Sequence, residues 1–225
     1  MRQRLLVVGG SRGIGAAACE FLIEHGYDVF SVSRTLSRHG QWIQADVTTD
    51  EGIDRVVEAV GESAVDALLY LGGAWEKGAF TRDYGFTTSS REDARSVLAV
   101  NLLAPILLTQ ALLPVLLKAD NPRVILMGST SGLDGQASPE VAYTASKFGL
   151  RGAAQALRVS LPAVGVTVLN PGNVATPEVE LDIVEGRFED QVPIPLGDVM
   201  ATLKFVLSVS VNTTLDEINL TQRIL

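Results

Sequence analysis

The stretch LLVVGGSRGIG at residues 5–15 decides the fold of this chain. Its apolar half, Leu5–Val8, is short and ends in glycines, which is typical of a buried parallel strand. From Gly13 to about His25 the apolar residues recur at helical spacing, and Gly26 stands where a helix C-cap glycine belongs. A strand, a glycine turn and a helix in this order predict the first unit of a nucleotide-binding parallel sheet.

The rest of the chain continues the alternation of short apolar runs and amphipathic segments. Six further strands are predicted, at Tyr27–Val32, Trp42–Ala45, Ala67–Leu71, Val124–Met127, Val166–Leu169 and Glu217–Leu220. Helices are predicted after Thr48 or Thr49, after Ser89 or Ser90, over Tyr143–Leu161 and over Asp198–Leu207. This order predicts one α/β domain over residues 1–225: a doubly wound, mostly parallel seven-stranded sheet with helices on both faces, the Rossmann fold. A ligand is then expected at the carboxyl ends of the strands.

Composition excludes several classes of protein. The chain has 225 residues, of which 47% are hydrophobic and 20% charged, as in ordinary globular domains. The net charge of −8 argues against nucleic acid or an anionic membrane as partner. The most apolar stretch, residues 102–117, is interpreted as a buried helix because it is shorter than the roughly 20 residues that a bilayer needs. The single cysteine, Cys19, excludes an internal disulfide and fits the cytoplasm, and no Cys/His cluster has metal-ligand spacing.

The glycine loop is interpreted as a cradle for a dinucleotide pyrophosphate, with a tight turn that binds nothing as the alternative. Glycine permits positive φ and lets phosphate approach the backbone and the helix N-terminus. At the end of the second strand, Ser33-Arg34 lacks the acid that would bind the ribose 2′-hydroxyl of NAD. Arg34 and Arg12 would instead bind a 2′-phosphate, unless both are solvated surface residues. Asp46 could accept a hydrogen bond from an adenine amino group or could serve only as a helix cap.

Two reactive side chains, Tyr143 and Lys147, lie one helical turn apart on one face of a predicted helix. An adjacent cation lowers the pKa of a phenol from about 10, so such a tyrosine could exchange a proton near neutral pH. The fifth strand ends in GSTSG at 128–132, where a hydroxyl group would face the same crevice. Ser129 is favoured because it follows the strand directly. Thr130 and Ser131 remain alternatives, and so does a plain polar turn.

In this order the motifs resemble those of the short-chain dehydrogenases/reductases, and the resemblance covers nearly the whole chain. The matching segments are GGSRGIG at 9–15, DV at 46–47, the asparagine at 101, GSTSG at 128–132, YTASK at 143–147 and NPGNVATP at 170–177. The resemblance implies that Tyr143 is the general acid and base. It also implies that Lys147 holds the nicotinamide ribose and lowers the pKa of Tyr143, that Ser129 polarises the carbonyl, and that Asn101 completes a proton relay through water.

The resemblance further implies a set of cofactor-binding residues: Gly9, Ser11, Arg12, Gly13, Ile14, Gly15, Ser33, Arg34, Asp46, Val47, Gly72, Gly73, Tyr143, Lys147, Pro171, Gly172, Val174 and Thr176. The chain departs from the family pattern after the fourth strand, where the usual Asn-Asn-Ala-Gly is replaced by Tyr70-Leu71-Gly72-Gly73. The two glycines keep a close backbone approach to the cofactor. The missing amide side chains leave open how that strand is braced.

The activity implied by the resemblance is hydride transfer between NADP(H), preferred over NAD(H), and a carbonyl/alcohol pair on a small organic molecule. A cytoplasmic homodimer or homotetramer, assembled through the helices that hold Asn101 and Tyr143, is expected, with no metal, nucleic acid or membrane. The alternatives are a 3-oxoacyl thioester reductase and a non-catalytic regulator that senses NADP(H). Substrate selection is expected in residues 74–88, which are rich in aromatics, and in residues 177–196, which are rich in acids. The alternatives are that the aromatic side chains of the first segment only pack within the domain and that the second segment is a solvated acidic surface.

Overall fold

A computed structural model describes residues 2–188 and 191–223 of the chain, and within these residues it contains one parallel sheet. The strands are Arg4–Val8 (β1), Asp28–Ser33 (β2), Gln41–Gln44 (β3), Ala67–Tyr70 (β4), Arg123–Met127 (β5), Gly165–Pro171 (β6) and Glu217–Leu220 (β7). Their spatial order is β3-β2-β1-β4-β5-β6-β7, and every neighbouring pair is parallel. The order reverses between β1 and β4, which is where a doubly wound sheet opens a crevice for ligand.

The helices lie on both faces of the sheet, as the sequence predicts. They are Gly13–Glu24 (α1), Asp50–Val60 (α2), Arg91–Leu98 (α3), Ala104–Leu116 (α4), Val141–Ser160 (α5), Pro177–Val184 (α6) and Leu196–Ser208 (α7). A π-helical segment, Ala99–Leu103, joins α3 to α4, and a single 3-10 turn occupies Thr130–Gly132. The side chains of Thr49 and Ser90 cap α2 and α3, so the second of the two candidates is the cap in each case.

Two apolar cores form because the buried strands alternate their side chains between the two faces. In β1, Leu6 and Val8 face a core that α2, α4 and α5 cover, whereas Leu5 and Val7 face a core that α1 and α7 cover. Cys19 lies fully buried in the second core as a packed small side chain. Because helices cover both faces of the sheet, the crevice is lined by the loops that follow the strand ends.

The helix that holds Asn101 is the longest helical run among the described residues. It runs without a break from Arg91 to Leu116, and by length and composition alone it could cross a membrane. Its buried side, which includes Leu108 and Leu112, packs in the first core. The same length and composition are found in core helices of globular domains, and this helix has that position in the fold.

Residues 177–196, the acid-rich segment expected to select substrate, include a helix that was not predicted, since their first eight residues form α6. The hydroxyl of Thr176 accepts from the Val179 amide at 3.3 Å, Pro177 occupies the first helical position, and Glu178 lies in the first turn. These are ordinary signals of a helix start. Two acids of the same segment, at positions 189 and 190, lie outside the described residues.

A buried arginine holds the loop that precedes β7 in place. Arg123, at the start of β5, is 2% exposed, and its guanidinium donates to the carbonyl oxygens of Val209, Ser210 and Thr213, each at 2.8 Å. Burial lowers the pKa of Arg123, but the group has enough acceptors to remain a donor. The side chain therefore fixes residues 209–213 against the amino end of the sheet.

Candidate active site

The glycine loop between β1 and α1 has a shape that only glycine permits. Gly9 and Gly13 have φ of +90° and +53°. A Cβ atom on Gly9 would lie 2.7 Å from the Cα of Gly72, and one on Gly15 would overlap the carbonyl of Gly9. The loops that follow β1 and β4 thus touch backbone to backbone at the point where the strand order reverses.

The start of α1 fits a phosphate group. No side chain caps this helix among the described residues, and its first turn holds no acid, so its first amides are left for an anion. Ser11 is partly buried, Arg12 is exposed, and Ile14 packs on the second core. A Cβ on Gly13 would approach only Thr176, at 3.7 Å, and the Glu178 carboxylate, at 3.8 Å, so the glycine opens a cradle between the loop and α6. The Glu178 carboxylate would oppose phosphate there.

The predicted adenosine end lies beside the carboxyl end of β2. Arg34 is 74% exposed and its guanidinium stands 4.0 Å from the Asp46 carboxylate, with Val47 buried behind. Both side chains line a polar cleft of about 260 Å³ whose far wall includes Ala99 and Val100. The Ser33 hydroxyl donates to a backbone carbonyl and accepts from the Trp42 indole, so it is engaged within the protein. Arg12 forms no ion pair with the residues that the structure describes, so its place at a 2′-phosphate stays a prediction.

Asp46 is not a helix cap, because Thr49 caps α2. Its carboxylate accepts from the Thr48 amide at 3.0 Å and from the Thr48 hydroxyl at 2.6 Å. Burial by itself would raise the pKa of Asp46, but these two hydrogen bonds and the Arg34 charge outweigh burial and hold the pKa below its ordinary value. The group is therefore an anion and an acceptor at the mouth of the cleft.

The reactive side chains meet at the carboxyl end of β5. Tyr143 and Lys147 lie on one face of α5, with the Lys147 ammonium 5.5 Å from the centre of the Tyr143 ring. Lys147 is 3% exposed and donates to the Met127 carbonyl at 2.8 Å, so the last residue of β5 holds it in place. Burial lowers the pKa of Lys147 to about 8. The Ser129 hydroxyl accepts from the Ser131 amide at 3.1 Å, which turns it toward the same crevice.

The pKa of the Tyr143 phenol is raised, whereas the adjacent lysine was expected to lower it. Burial is the largest cause, and the negative charges of Glu140 and Glu76 add to it. A hydrogen bond with the Ser129 side chain acts in the opposite direction, because it stabilises the phenolate. Of the three hydroxyl candidates at 129–131, Ser129 is thus the one that bonds to Tyr143. Without cofactor, the tyrosine is a protonated phenol at neutral pH and can donate a proton.

Asn101 braces the loop that follows β4. It is 1% exposed, and its amide oxygen accepts from the Ala74 N–H at 2.8 Å while its amide nitrogen donates to the Ala74 carbonyl at 2.7 Å and to the Ser146 hydroxyl at 3.1 Å. The Tyr70 hydroxyl donates to the Val100 carbonyl at 2.7 Å from the other side. Asn101 sits in a π-helical segment, an irregularity that is frequent at functional sites. It therefore joins the β4 loop to α5.

The remaining predicted residues lie at or after the ends of β6 and β4. Pro171 ends that strand, the Gly172 amide donates to the Leu220 carbonyl of β7 at 2.8 Å, and Val174 is 4% exposed and bridges to Ile194. Gly72 and Gly73 follow β4, where a Cβ on Gly73 would approach only the Asn101 side chain, at 3.8 Å. Thr176 faces the glycine loop. The residues after β1, β4, β5 and β6 therefore surround one crevice.

Two buried acids at the site were not predicted. Glu76 and Glu140 are each 2% exposed, and both approach the start of α5. Glu76 accepts from the amides of Ala142 and Tyr143, at 2.7 and 3.3 Å. Glu140 accepts from the Phe80 amide at 2.7 Å. No sequence signal marks them, because their partners lie 60 or more residues away along the chain.

Comparison with known proteins identifies the family. The family model described as short chain dehydrogenase matches residues 3–182. The 3-oxoacyl-[acyl-carrier-protein] reductase FabG of Vibrio cholerae is 29% identical over 208 residues, which cover 87% of this chain and 81% of the relative.

Two solved structures superpose on nearly the whole chain. ElxO with NADP bound has a TM-score of 0.85 at 19% identity and covers 98% of each chain. A short chain dehydrogenase of Escherichia coli CFT073 complexed with NADPH has a TM-score of 0.81 at 25% identity and covers 96% of this chain and 95% of its own.

The family model matches residues 3–182, which are most of this chain. The chain therefore belongs to the short-chain dehydrogenases/reductases. It is an oxidoreductase of the Rossmann fold that uses a nicotinamide cofactor and acts on a carbonyl/alcohol pair of a small molecule.

Proposed function

We propose that this protein is an NADP(H)-dependent reductase of small organic carbonyl compounds, in which Tyr143 is the general acid. The observation that carries the proposal is the convergence of Ser129, Tyr143 and Lys147 at the end of β5, with each side chain held by a separate contact. Such a cluster is expected of proton transfer to a substrate oxygen. A sensing regulator without turnover has no need of it.

The nicotinamide supplies the hydride, and the residues of this chain supply the proton and its path. The Ser129 hydroxyl orients the carbonyl oxygen, and the Tyr143 phenol donates its proton to the developing alkoxide. Lys147, with a pKa near 8, is charged at neutral pH and lies close enough to favour the phenolate that remains. Asn101 and Ser146 fix α5 so that these groups stay in register, and water at Asn101 would return the proton from solvent.

The direct test measures NADPH consumption with a panel of aldehydes, ketones and 3-oxoacyl thioesters. Tyr143→Phe should lower kcat by about 10²-fold or more, since general acid catalysis contributes that much, while the affinity for NADPH changes little. Tyr27→Phe, at the residue before β2 and at the opposite end of that strand from the crevice, serves as the matched control. A Tyr143→Phe enzyme that turned over near the wild-type rate would refute the assignment.

The preference for NADP(H) rests on Arg34, the cation beside the polar cleft. A 2′-phosphate near Arg34 gains a charge-assisted contact, which exposure to solvent reduces to about 1 kcal/mol. Arg34→Ser should therefore weaken NADPH binding about fivefold and leave NADH binding unchanged. Fluorescence titration of both cofactors at fixed ionic strength measures this. Equal affinities in the wild-type protein would show that Arg34 points to solvent.

A 3-oxoacyl thioester reductase is the second candidate, because a relative that is 29% identical carries that name. The acids of α6 argue against a polyanionic acyl carrier docked beside the crevice, since Glu178, Glu180 and Asp182 would repel it. Turnover of a 3-oxoacyl carrier protein faster than that of simple ketones would favour this candidate.

We also propose a cytoplasmic homodimer or homotetramer. A cleft of about 410 Å³ on the surface of the helix that holds Asn101 is lined almost wholly by apolar atoms, with Leu98 and Leu103 exposed. Phe148, on the adjacent α5, is also exposed. A two-fold axis would cover these side chains in pairs. Light scattering tests this, and a monomer at tens of micromolar would contradict it.

A further inference from the structure

Phe80 has a backbone conformation that demands an explanation. With φ of +63°, it is the one residue other than glycine in the left-handed region among those that the structure describes. A bulky side chain keeps this conformation only where its surroundings enforce it, and such residues cluster at functional sites. Gly78, two residues earlier, also has positive φ, so the chain turns sharply here.

A buried carboxylate enforces the turn. Oε1 of Glu140 accepts from the Phe80 amide at 2.7 Å, and Glu140 is the residue that precedes α5. From the opposite direction, Glu76 accepts from the amides of Ala142 and Tyr143, and the Tyr84 hydroxyl accepts from the Val141 amide at 3.2 Å. We call these four hydrogen bonds, accepted by the side chains of Glu76, Tyr84 and Glu140, the clasp. The clasp ties residues 76–84 to the turn of α5 that carries Tyr143.

The clasp carries an energetic penalty, because it buries polar atoms that have no partner among the described residues. The second carboxylate oxygens of Glu76 and Glu140 are buried and find no hydrogen-bond partner among the described residues. Buried polar atoms without partners are unfavourable, and they persist where position matters more than stability. A neutral helix cap would have held the start of α5 without this cost.

The clasp fixes the position of the Phe80 ring. It stands edge to face with Tyr143, with ring centres 5.2 Å apart at an angle of 88°. It also meets Trp75 at 6.3 Å and Phe188 at 6.4 Å, so residues from two loops join around it. Trp75 is 54% exposed, which places this aromatic cluster at the mouth of the crevice rather than in the core.

We propose that Phe80 is a specificity-determining residue that walls the substrate pocket beside Tyr143, and that Glu140 is its positioning residue. The Phe80 ring admits a flat apolar substituent of the substrate, such as an aryl group, and contacts it edge to face, as aromatic rings prefer. It excludes a substrate whose aryl group carries a bulky, non-planar substituent. The inference rests on the proposed function, because it takes the carbonyl to lie at the Tyr143 hydroxyl. It goes beyond that function by naming aryl ketones as the substrate class.

The test compares acetophenone with its 4′-tert-butyl analogue, which has the same carbonyl and differs only in remote bulk. The wild-type enzyme should favour acetophenone in kcat/KM by about tenfold or more, and Phe80→Ala should remove most of this preference. Glu140→Ala should also remove it. Glu140→Gln keeps an oxygen acceptor for the Phe80 amide and should retain the preference. The ratio of the two kcat/KM values separates positioning from a merely structural role, because a general loss of structure would lower both values alike. Phe86→Ala, an exposed ring of the same loop, is the matched control.

Binding makes the test independent of turnover. The dissociation constants of both ketones are measured by calorimetry on the complex of each variant with oxidised cofactor, where no reduction occurs. A wild-type protein that discriminates by binding but reduces neither ketone would refute the proposed function and leave the wall in place. An unchanged preference in a folded Phe80→Ala variant, or a wild-type protein that binds neither ketone, would overturn the inference about Phe80.

Discussion

Replacing the buried Lys147 should stabilise the protein, although this residue is proposed to act in catalysis. Lys147 is 3% exposed, and the one hydrogen bond described for its ammonium runs to the Met127 carbonyl. Burial lowers its pKa from 10.5 to about 8. A pKa difference of this size corresponds to about 3 kcal/mol of unfavourable charge burial at pH 7. Lys147→Met keeps an unbranched apolar side chain and removes the charge.

The expected gain is smaller than the charge term, because the Met127 carbonyl loses its donor, at a cost of about 1–2 kcal/mol. A net increase of about 1–2 kcal/mol in the free energy of unfolding is therefore expected at pH 7, measured by urea denaturation without cofactor. The unfolded chain binds more protons than the folded one between pH 8 and 10.5, so wild-type stability rises with pH through that window. The advantage of the variant should shrink over the same window.

Lys204→Met is the matched control, since Lys204 is exposed on α7 and its replacement should change stability little. The Lys147→Met enzyme should also lose turnover. A variant that is less stable than the wild type at pH 7, or an advantage that does not depend on pH, would show that the ammonium is well solvated and that the reasoning is wrong.

Two further variants test single contacts. Ser129→Ala removes the hydrogen bond that favours the Tyr143 phenolate, so the pKa of Tyr143 should rise and the high-pH limb of carbonyl reduction should move to higher pH; a shift to lower pH in the pH profile of kcat/KM would contradict the contact. Arg123→Met leaves three buried carbonyl oxygens without donors and should lower the free energy of unfolding by about 3–5 kcal/mol, with Arg123→Lys recovering part of the loss; a cost below about 1 kcal/mol in urea denaturation would show that water replaces the guanidinium.

The elements that the sequence predicts well are those with local signals. The run from Leu5 to Gly15 contains the strand, the turn and the helix start in adjacent residues, and the structure confirms all three. Strand ends moved by one or two residues, as where β6 extends through Pro171. The start of α6 was missed although Thr176 and Pro177 signal it, because the acids that follow were interpreted as a segment that selects substrate or as a solvated face.

Features that depend on distant contacts could not be predicted. The burial of Glu76 and Glu140 depends on amides that lie 60 to 67 residues away, and a charged residue in a loop gives no sign of it. The raised pKa of Tyr143 has the same origin, since burial and the charges of those two acids outweigh the hydrogen bond with Ser129 that lowers it. The i, i+4 spacing shows that two groups meet, but the surrounding charges and burial decide the sign of the pKa shift.

At the start of α5, the residues proposed for proton transfer are tied to the residues proposed for substrate selection. Asn101 holds α5 through Ser146, and the clasp holds it through Tyr143 and its neighbours. A substitution that moves residues 76–84 should therefore also move Tyr143, the proposed general acid, since the contacts between them are buried and direct. The α6 segment has no such tie to α5 among the described contacts, and Thr176 and Glu178 face the glycine loop instead. Substrate range should accordingly change through α6 with little loss of kcat, whereas changes in the clasp should alter kcat and substrate range together.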